Sequence, residues 1–143
     1  MELLETIPGL GTLLALHCAV AIGDVSRFAT PRRLVGYSGL VPRVRQSGES
    51  SRSARLAKSG SRLLRWTAVE AAQNAWRPTN PWNRLYLDVK RRRGKSHAAK
   101  AAVARKLLIA VWHVLQRQEP FKPARPRAGS DPAPASSHSQ LAA

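Results

Sequence analysis

Two stretches of this chain place small or branched apolar residues at three- and four-residue steps: Leu64, Ala68, Ala71 and Ala75, then Ala101, Ala104, Leu108, Val111 and Leu115. That spacing returns side chains to one face of an α-helix, and stripes built largely of alanine let helices approach closely. No stretch of useful length alternates apolar and polar residues as a half-buried strand does. The expected fold class is therefore all-α, a small helical domain.

Glycine, proline and capping residues divide the chain into elements. Ile7-Pro8-Gly9-Leu10-Gly11 forms a turn that opens an apolar run from Leu13 to Ile22, stopped at Gly23. Gly9 and Gly11 let the backbone turn sharply in a helix-hairpin-helix-like start; the pair either brings bare N–H groups to a phosphate or makes a tight turn between packed helices. Only six residues precede Ile7, so little helix is expected before the turn. Thr30-Pro31 predicts an N-cap with proline at the first helical position, and a short helix Arg32 to Tyr37 that stops near Gly39. Pro42 begins a loop. A third helix is expected from Ser59–Ser61 to about Trp76. Asn80-Pro81 is expected to cap a fourth, which passes through Trp82, Leu85, Tyr86 and Val89 into Lys90–Lys95. Ser96 is expected to cap the last and longest. From Pro120 to Ala143 the prolines Pro120, Pro123, Pro126, Pro132 and Pro134 stand among Ala, Ser and Gly, which reads as a disordered tail after a folded domain of residues 1–119.

Charge narrows the function. Lys and Arg number 24 against 8 Asp and Glu, a formal net charge of +16 on 143 residues, which points to a polyanion, nucleic acid first, as partner. No stretch approaches the roughly 18 to 20 uninterrupted apolar residues of a spanning helix, so a membrane partner is not expected. The opening Met1-Glu2-Leu3-Leu4-Glu5 lacks the basic start of a secretory signal, and a cytoplasmic location is expected. The lone Cys18 lies in an apolar helical stretch and reads as a small core residue.

The chemistry-bearing stretch is Val35 to Gly60. Ser47, followed by Gly48, sits in a Gly-flexed loop where Arg43, Arg45, Arg52, Arg55, Lys58, Arg62 and Arg65 face the single acid Glu49. Such a cluster neutralises a phosphodiester from several sides, and a serine there either attacks phosphorus or binds phosphate. Lys90, Arg91, Arg92, Arg93 and Lys95 form a second basic run, read as a phosphate-contacting patch because the whole chain is basic. Gly94-Lys95-Ser96 is no phosphate-binding loop, since that motif needs glycine where Val89 stands. His17, His97, His113 and His138 show no metal-ligand spacing. The acids Glu2, Glu5, Asp24, Glu49, Glu70, Asp88, Glu119 and Asp131 are mostly isolated, so no metal site is expected in this chain. Trp66, Trp76, Trp82 and Trp112, at helical spacing, are expected in the core.

Taken together, Ile7-Pro8-Gly9-Leu10-Gly11, Ile22-Gly23-Asp24 with Arg27-Phe28, Gly39-Leu40-Val41-Pro42, Ser47-Gly48, Lys58-Ser59-Gly60 with Leu64-Arg65, and Ala98 to Leu108 resemble a known domain. It is the C-terminal domain of insertion-sequence transposases related to the Piv and MooV DNA invertases, the bridge-RNA-guided recombinases. The resemblance spans about Leu4 to Leu115, and the order and spacing of the pieces carry it. It implies DNA as partner and Ser47 as nucleophile: the serine attacks a phosphodiester and holds the broken strand covalently. In that family an N-terminal RuvC-like domain bears an Asp-Glu-Asp-Asp site, where Mg2+ is expected, and exchange takes place in an oligomer.

That acidic domain is not in this sequence. The chain alone is therefore expected to bind nucleic acid without cleaving it, as a truncated or split transposase needing a RuvC-like domain in trans. The alternative is a non-catalytic nucleic-acid-binding remnant or regulator of an intact transposase. Whether guide RNA touches this domain stays open, as does a homo-oligomer. The alanine-rich faces at Leu64–Ala75 and Ala101–Leu115 suit packing within one chain or across two.

Overall fold

The computed structural model describes residues 1–41 and 61–123, and among these it is all-helical, with no strand. The helices are α1 (Glu2–Glu5), α2 (Thr12–Ile22), α3 (Pro31–Ser38), α4 (Arg62–Ala71), α5 (Asn83–Arg93) and α6 (Ser96–Arg117), with 3-10 turns at Val25–Arg27 and Ala72–Asn74. The 22-residue α6 is the spine, packing against α5, α3, α4 and α1. Its buried side is broader than the expected stripe: Ala99, Ala102, Val103, Ala104, Leu107, Leu108, Val111 and Val114 are enclosed, whereas Ala101 and Leu115 lie at the margin. A central helix touched from several directions needs a wider apolar arc than one packed against a single neighbour.

Local rules account for several boundaries. Thr30 Oγ1 accepts from Arg33 N and Pro31 opens α3, as its sequence requires. At the other end buried Ser38 donates to the Val35 carbonyl at 2.6 Å and accepts from Leu40 N, and Gly39 takes a left-handed conformation. Ser61 caps α4 by accepting from Leu64 N at 3.1 Å. Leu64, Ala68, Ala71 and Ala75 are all buried, and the two alanine-rich faces meet each other within one chain as α4 packs on α6.

Elsewhere the structure corrects the expectations. The third helix ends at Ala71 and tightens into a 3-10 turn rather than running to Trp76; Asn83 Nδ2 holds that end by donating to the Ala75 and Trp76 carbonyls. Asn80 closes a turn, its Oδ1 accepting from Trp82 N, so α5 begins three residues later than Asn80. Ser96 is the first residue of α6 and makes no cap bond; Lys95 occupies the N-cap. Trp82 and Trp112 pack against the core, Trp112 Nε1 donating to the Phe28 carbonyl at 2.9 Å, but Trp66 and Trp76 stand 49% and 55% exposed. With alanines filling the helix contacts, there is no space for four indoles inside.

The folded unit also reaches past residue 119. Phe121 packs on Trp82, ring centroids 5.4 Å apart, and its N–H donates to Thr6 Oγ1 at 2.8 Å. Residues 120–123 are thus part of the domain, and the rest of the expected tail, 124–143, lies outside the described residues. No helix among the described residues is long and apolar enough to cross a membrane.

Candidate nucleic-acid interface

Ser47 and its neighbours Arg43, Arg45, Gly48, Arg52, Arg55 and Lys58 lie outside the described residues. What the structure defines is the frame on either side of them. Arg105, on α6, donates from Nη1 to the Leu40 carbonyl at 3.1 Å, and Ser61 N donates to the Tyr37 carbonyl at 2.7 Å. The end of α3 is thereby fixed to the start of α4, where Arg62 is exposed and Arg65 half-buried.

Arg105 is the functional candidate that sequence reading missed. Its partner lies 65 residues away, and α6 reads as a packing helix. Partial burial pulls the Arg105 guanidinium below its usual pKa, and Arg93 at the end of α5 adds a like-charge contribution. Two cations facing each other lower their mutual repulsion by sharing an anion. The α5 terminus is therefore electrostatically connected to the frame around Leu40.

Four cations, Lys90, Arg91, Arg92 and Arg93, form the last turn of α5 where the helix dipole favours positive charge, and Gly94 closes it with a φ of 67°. Tyr86 and Val89 bury the opposite side, which turns the basic run outward. Lys90 Nζ lies 6.0 Å from the Tyr86 ring centre, and Arg91 pairs with Asp88 at 3.8 Å across exposed surface, a weak contact that an incoming phosphate can replace. Lys95 is exposed just beyond.

The glycine turn divides its two roles. Gly9 has a φ of +94°, and a Cβ there would collide with the Ala71 carbonyl oxygen, so its absence of a side chain serves close packing on the end of α4. Gly11 faces open space as the N-cap of α2, which has no side-chain cap bond.

Other chemistry is less developed. Cys18 is fully buried and its thiol is pushed up to about 12 by desolvation, as an inert core residue requires. The Asp24 carboxyl falls below its usual range because Ser26 N donates to it, capping the Val25–Arg27 turn. Among the described residues no three His, Cys, Asp or Glu side chains gather, so these residues do not fit a magnesium centre. A cavity of about 490 Å³ between α5, α6 and residues 119–123 is walled by Trp82, Leu85, Ile109 and Phe121 and lined by no serine or cysteine.

The described residues thus form a helical unit whose basic α5 end can attract phosphate beside a connection pinned at both sides. The family description "Transposase IS116/IS110/IS902 family" matches residues 1–88, and the chain belongs to that family. It is 33% identical over 122 residues to the transposase for insertion sequence element IS1111A of Coxiella burnetii, covering 82% of this chain and 33% of that protein. It is 34% identical over 122 residues to the pilin gene-inverting protein of Moraxella bovis, covering 84% of this chain and 38% of that one. With an uncharacterized 44.8 kDa protein of insertion element IS116 from Streptomyces clavuligerus it shares 32% identity over 126 residues, 87% of this chain and 31% of the relative. The chain thus spans about a third of the length of these curated relatives.

Proposed function

We propose that this chain is the serine-bearing, C-terminal part of an insertion-sequence transposase and acts in DNA transposition or site-specific recombination. The family membership carries the reading. The frame that ties Leu40 to Arg105 and Tyr37 to Ser61 supports it, because it fixes both approaches to the stretch containing Ser47. Ser47 Oγ attacks phosphorus as its proton passes to a base; the O–P bond forms, the P–O bond to one sugar breaks, and that sugar oxygen takes up a proton. The seryl phosphodiester conserves the bond energy, so attack by a new sugar hydroxyl rejoins DNA and frees the serine without ATP. Arg62, Arg65, Lys90, Arg91, Arg92, Arg93, Lys95 and Arg105 hold DNA phosphates. The acids needed for a metal-bearing half come from a RuvC-like domain outside this sequence.

A second reading is a binding-only module that regulates an intact transposase, favoured by the dispersal of carboxylates among the described residues. The test mixes the chain with a separately expressed RuvC-like part of a longer relative, magnesium and labelled DNA, with and without guide RNA. A covalent protein–DNA band that disappears in Ser47→Ala is the expected result. DNA binding without such a band in any mixture transfers the conclusion to the binding module; no DNA binding at all overturns both.

A further inference from the structure

The cavity between α5, α6 and residues 119–123 has a chemistry that strand exchange at Ser47 leaves unused. Its volume of about 490 Å³ lies in the range of small-ligand sites, and it is pre-formed, because backbone bonds hold both of its aromatic walls. Trp82 N donates to Asn80 Oδ1 at 2.9 Å, and Phe121 N donates to Thr6 Oγ1 at 2.8 Å. The two rings lie 5.4 Å apart, tilted by 39°. Leu85 and Ile109 extend the apolar lining, and half-buried His113 adds a polar group to it. Its Nδ1 is enclosed without a hydrogen-bond partner among the described residues, which leaves Nε2 as the ring nitrogen that can bond a ligand.

Charge lies at the ends of this cavity. Lys106 and Arg117, both exposed, are separated on α6 by about three helical turns, roughly 16 Å, so they share one face with Ile109, Ala110 and His113 between them. Lys122 adds a third cation, and Glu119, also in the lining, pairs with it at 3.9 Å across exposed surface. A cation, an apolar and aromatic stretch, and a second cation match the order in which a nucleic-acid strand presents phosphate, base and phosphate. A base that has left its stack offers a flat face to Trp82 and Phe121 and a hydrogen-bonding edge to His113. A base paired within a duplex is stacked on both faces and does not enter. An acidic peptide carrying an aliphatic side chain matches the charges but leaves His113 without a partner.

We infer that this cavity is a binding site for one unpaired nucleotide, its base against Trp82 and Phe121 and its flanking phosphates on Lys106 and Arg117. Nucleic acid as the partner comes from the function proposed above; Ser47 plays no part here. The test measures the affinity of the full chain for three labelled probes of one sequence, a short single-stranded DNA, the same RNA and the DNA duplex, by fluorescence anisotropy at fixed salt. Ala110→Phe, which fills the cavity, is expected to weaken single-strand binding about tenfold or more, as the loss of one stacked base does, and to leave duplex binding at the α5 end unchanged. Lys106→Gln with Arg117→Gln is expected to flatten the single-strand salt slope by about 1 to 2 and to leave the duplex slope in place. A loss confined to the RNA probe or to the single-stranded DNA probe assigns the site to that strand. Equal losses for single strand and duplex overturn the site, and so does an unaltered single-strand affinity in Ala110→Phe. If Ala110→Phe melts early, nuclear magnetic resonance of the wild-type chain with adenosine monophosphate at millimolar concentration decides. Shifts at the Trp82 indole and the His113 ring, without shifts at the exposed Trp66, are expected; their absence, or shifts with an acidic peptide alone, overturns the site. A chain that binds neither single strand nor duplex removes nucleic acid as partner altogether, whereas duplex binding with no cavity-dependent single-strand binding removes the cavity site alone.

Discussion

The outer side of α2 and the end of α5 rest on the same helical core, yet one carries no charge and the other almost nothing else. α2 presents Leu13, Leu16 and Val20 above a small buried stripe; α5 buries Tyr86 and Val89 and presents Lys90 to Arg93. The energetics of the two differ accordingly. Apolar contact acts at short range and tolerates salt, whereas a cationic helix end attracts phosphate from a distance and weakens as salt rises. A small core can thus carry two surfaces whose interactions depend differently on ionic strength.

The largest effect that separates them comes from replacing Lys90, Arg91, Arg92 and Arg93 together with Gln. DNA affinity should fall about a hundredfold or more, and the slope of log affinity against log salt should become shallower by up to about 3 to 4, as four phosphate contacts are lost. The melting temperature should barely change, because these side chains are exposed. Salt titrations by fluorescence anisotropy read both quantities; equal losses with Val20→Glu would break the division between the faces.

A smaller effect is expected at Arg105, which sits between the basic helix end and the Leu40 carbonyl. Arg105→Gln should cost about 1 to 2 kcal/mol of stability through the altered hydrogen bond and flatten the salt slope by about 1. Arg105→Lys should restore the slope but not the full stability, since it keeps the charge and lacks the planar fork. A slope unmoved by Arg105→Gln would place this residue among purely structural groups.

The smallest is an alkaline effect beneath the apolar face. The buried Cys18 thiol has its pKa raised from 9.0 to about 12, so the folded state disfavours the thiolate. The Cys18 contribution to stability should be level below pH 9 and should decline from pH 9 toward 12, as the unfolded chain releases a proton the folded chain retains. Cys18→Ala should remove that part of the slope in denaturant titrations at several pH values, and the difference between the two chains isolates it from Lys and Tyr.

Much of the fold is legible in the sequence because its signals are local. Thr30-Pro31 and Ser61 name helix starts by capping chemistry, and Leu64, Ala68, Ala71 and Ala75 name a buried face by period. The failures are of another kind. A helix that is apolar all round, as α2 is, has no period to say which side meets the core. Trp66 and Trp76 are outside because alanine-to-alanine packing has already closed the interior, a property of pairs of helices. Asn80 and Ser96 have the right capping chemistry, but Asn80 spends its side chain closing a turn and Ser96 falls one residue inside its helix. Of the candidate site, the basic run and the glycine turn are readable from residue type, whereas the bond from Arg105 to Leu40 joins parts of the chain 65 residues apart and follows from the tertiary arrangement alone.

The bond from Phe121 N–H to Thr6 Oγ1 brings together two points 115 residues apart. The first turn and the strap after the last helix are thereby held side by side, so the path through the described helices returns close to where it starts. Such a path can be entered elsewhere. Joining Pro123 to Met1 by a linker and opening the chain at the exposed Pro78-Thr79 turn would keep every described helix and change only the order in which the helices follow one another.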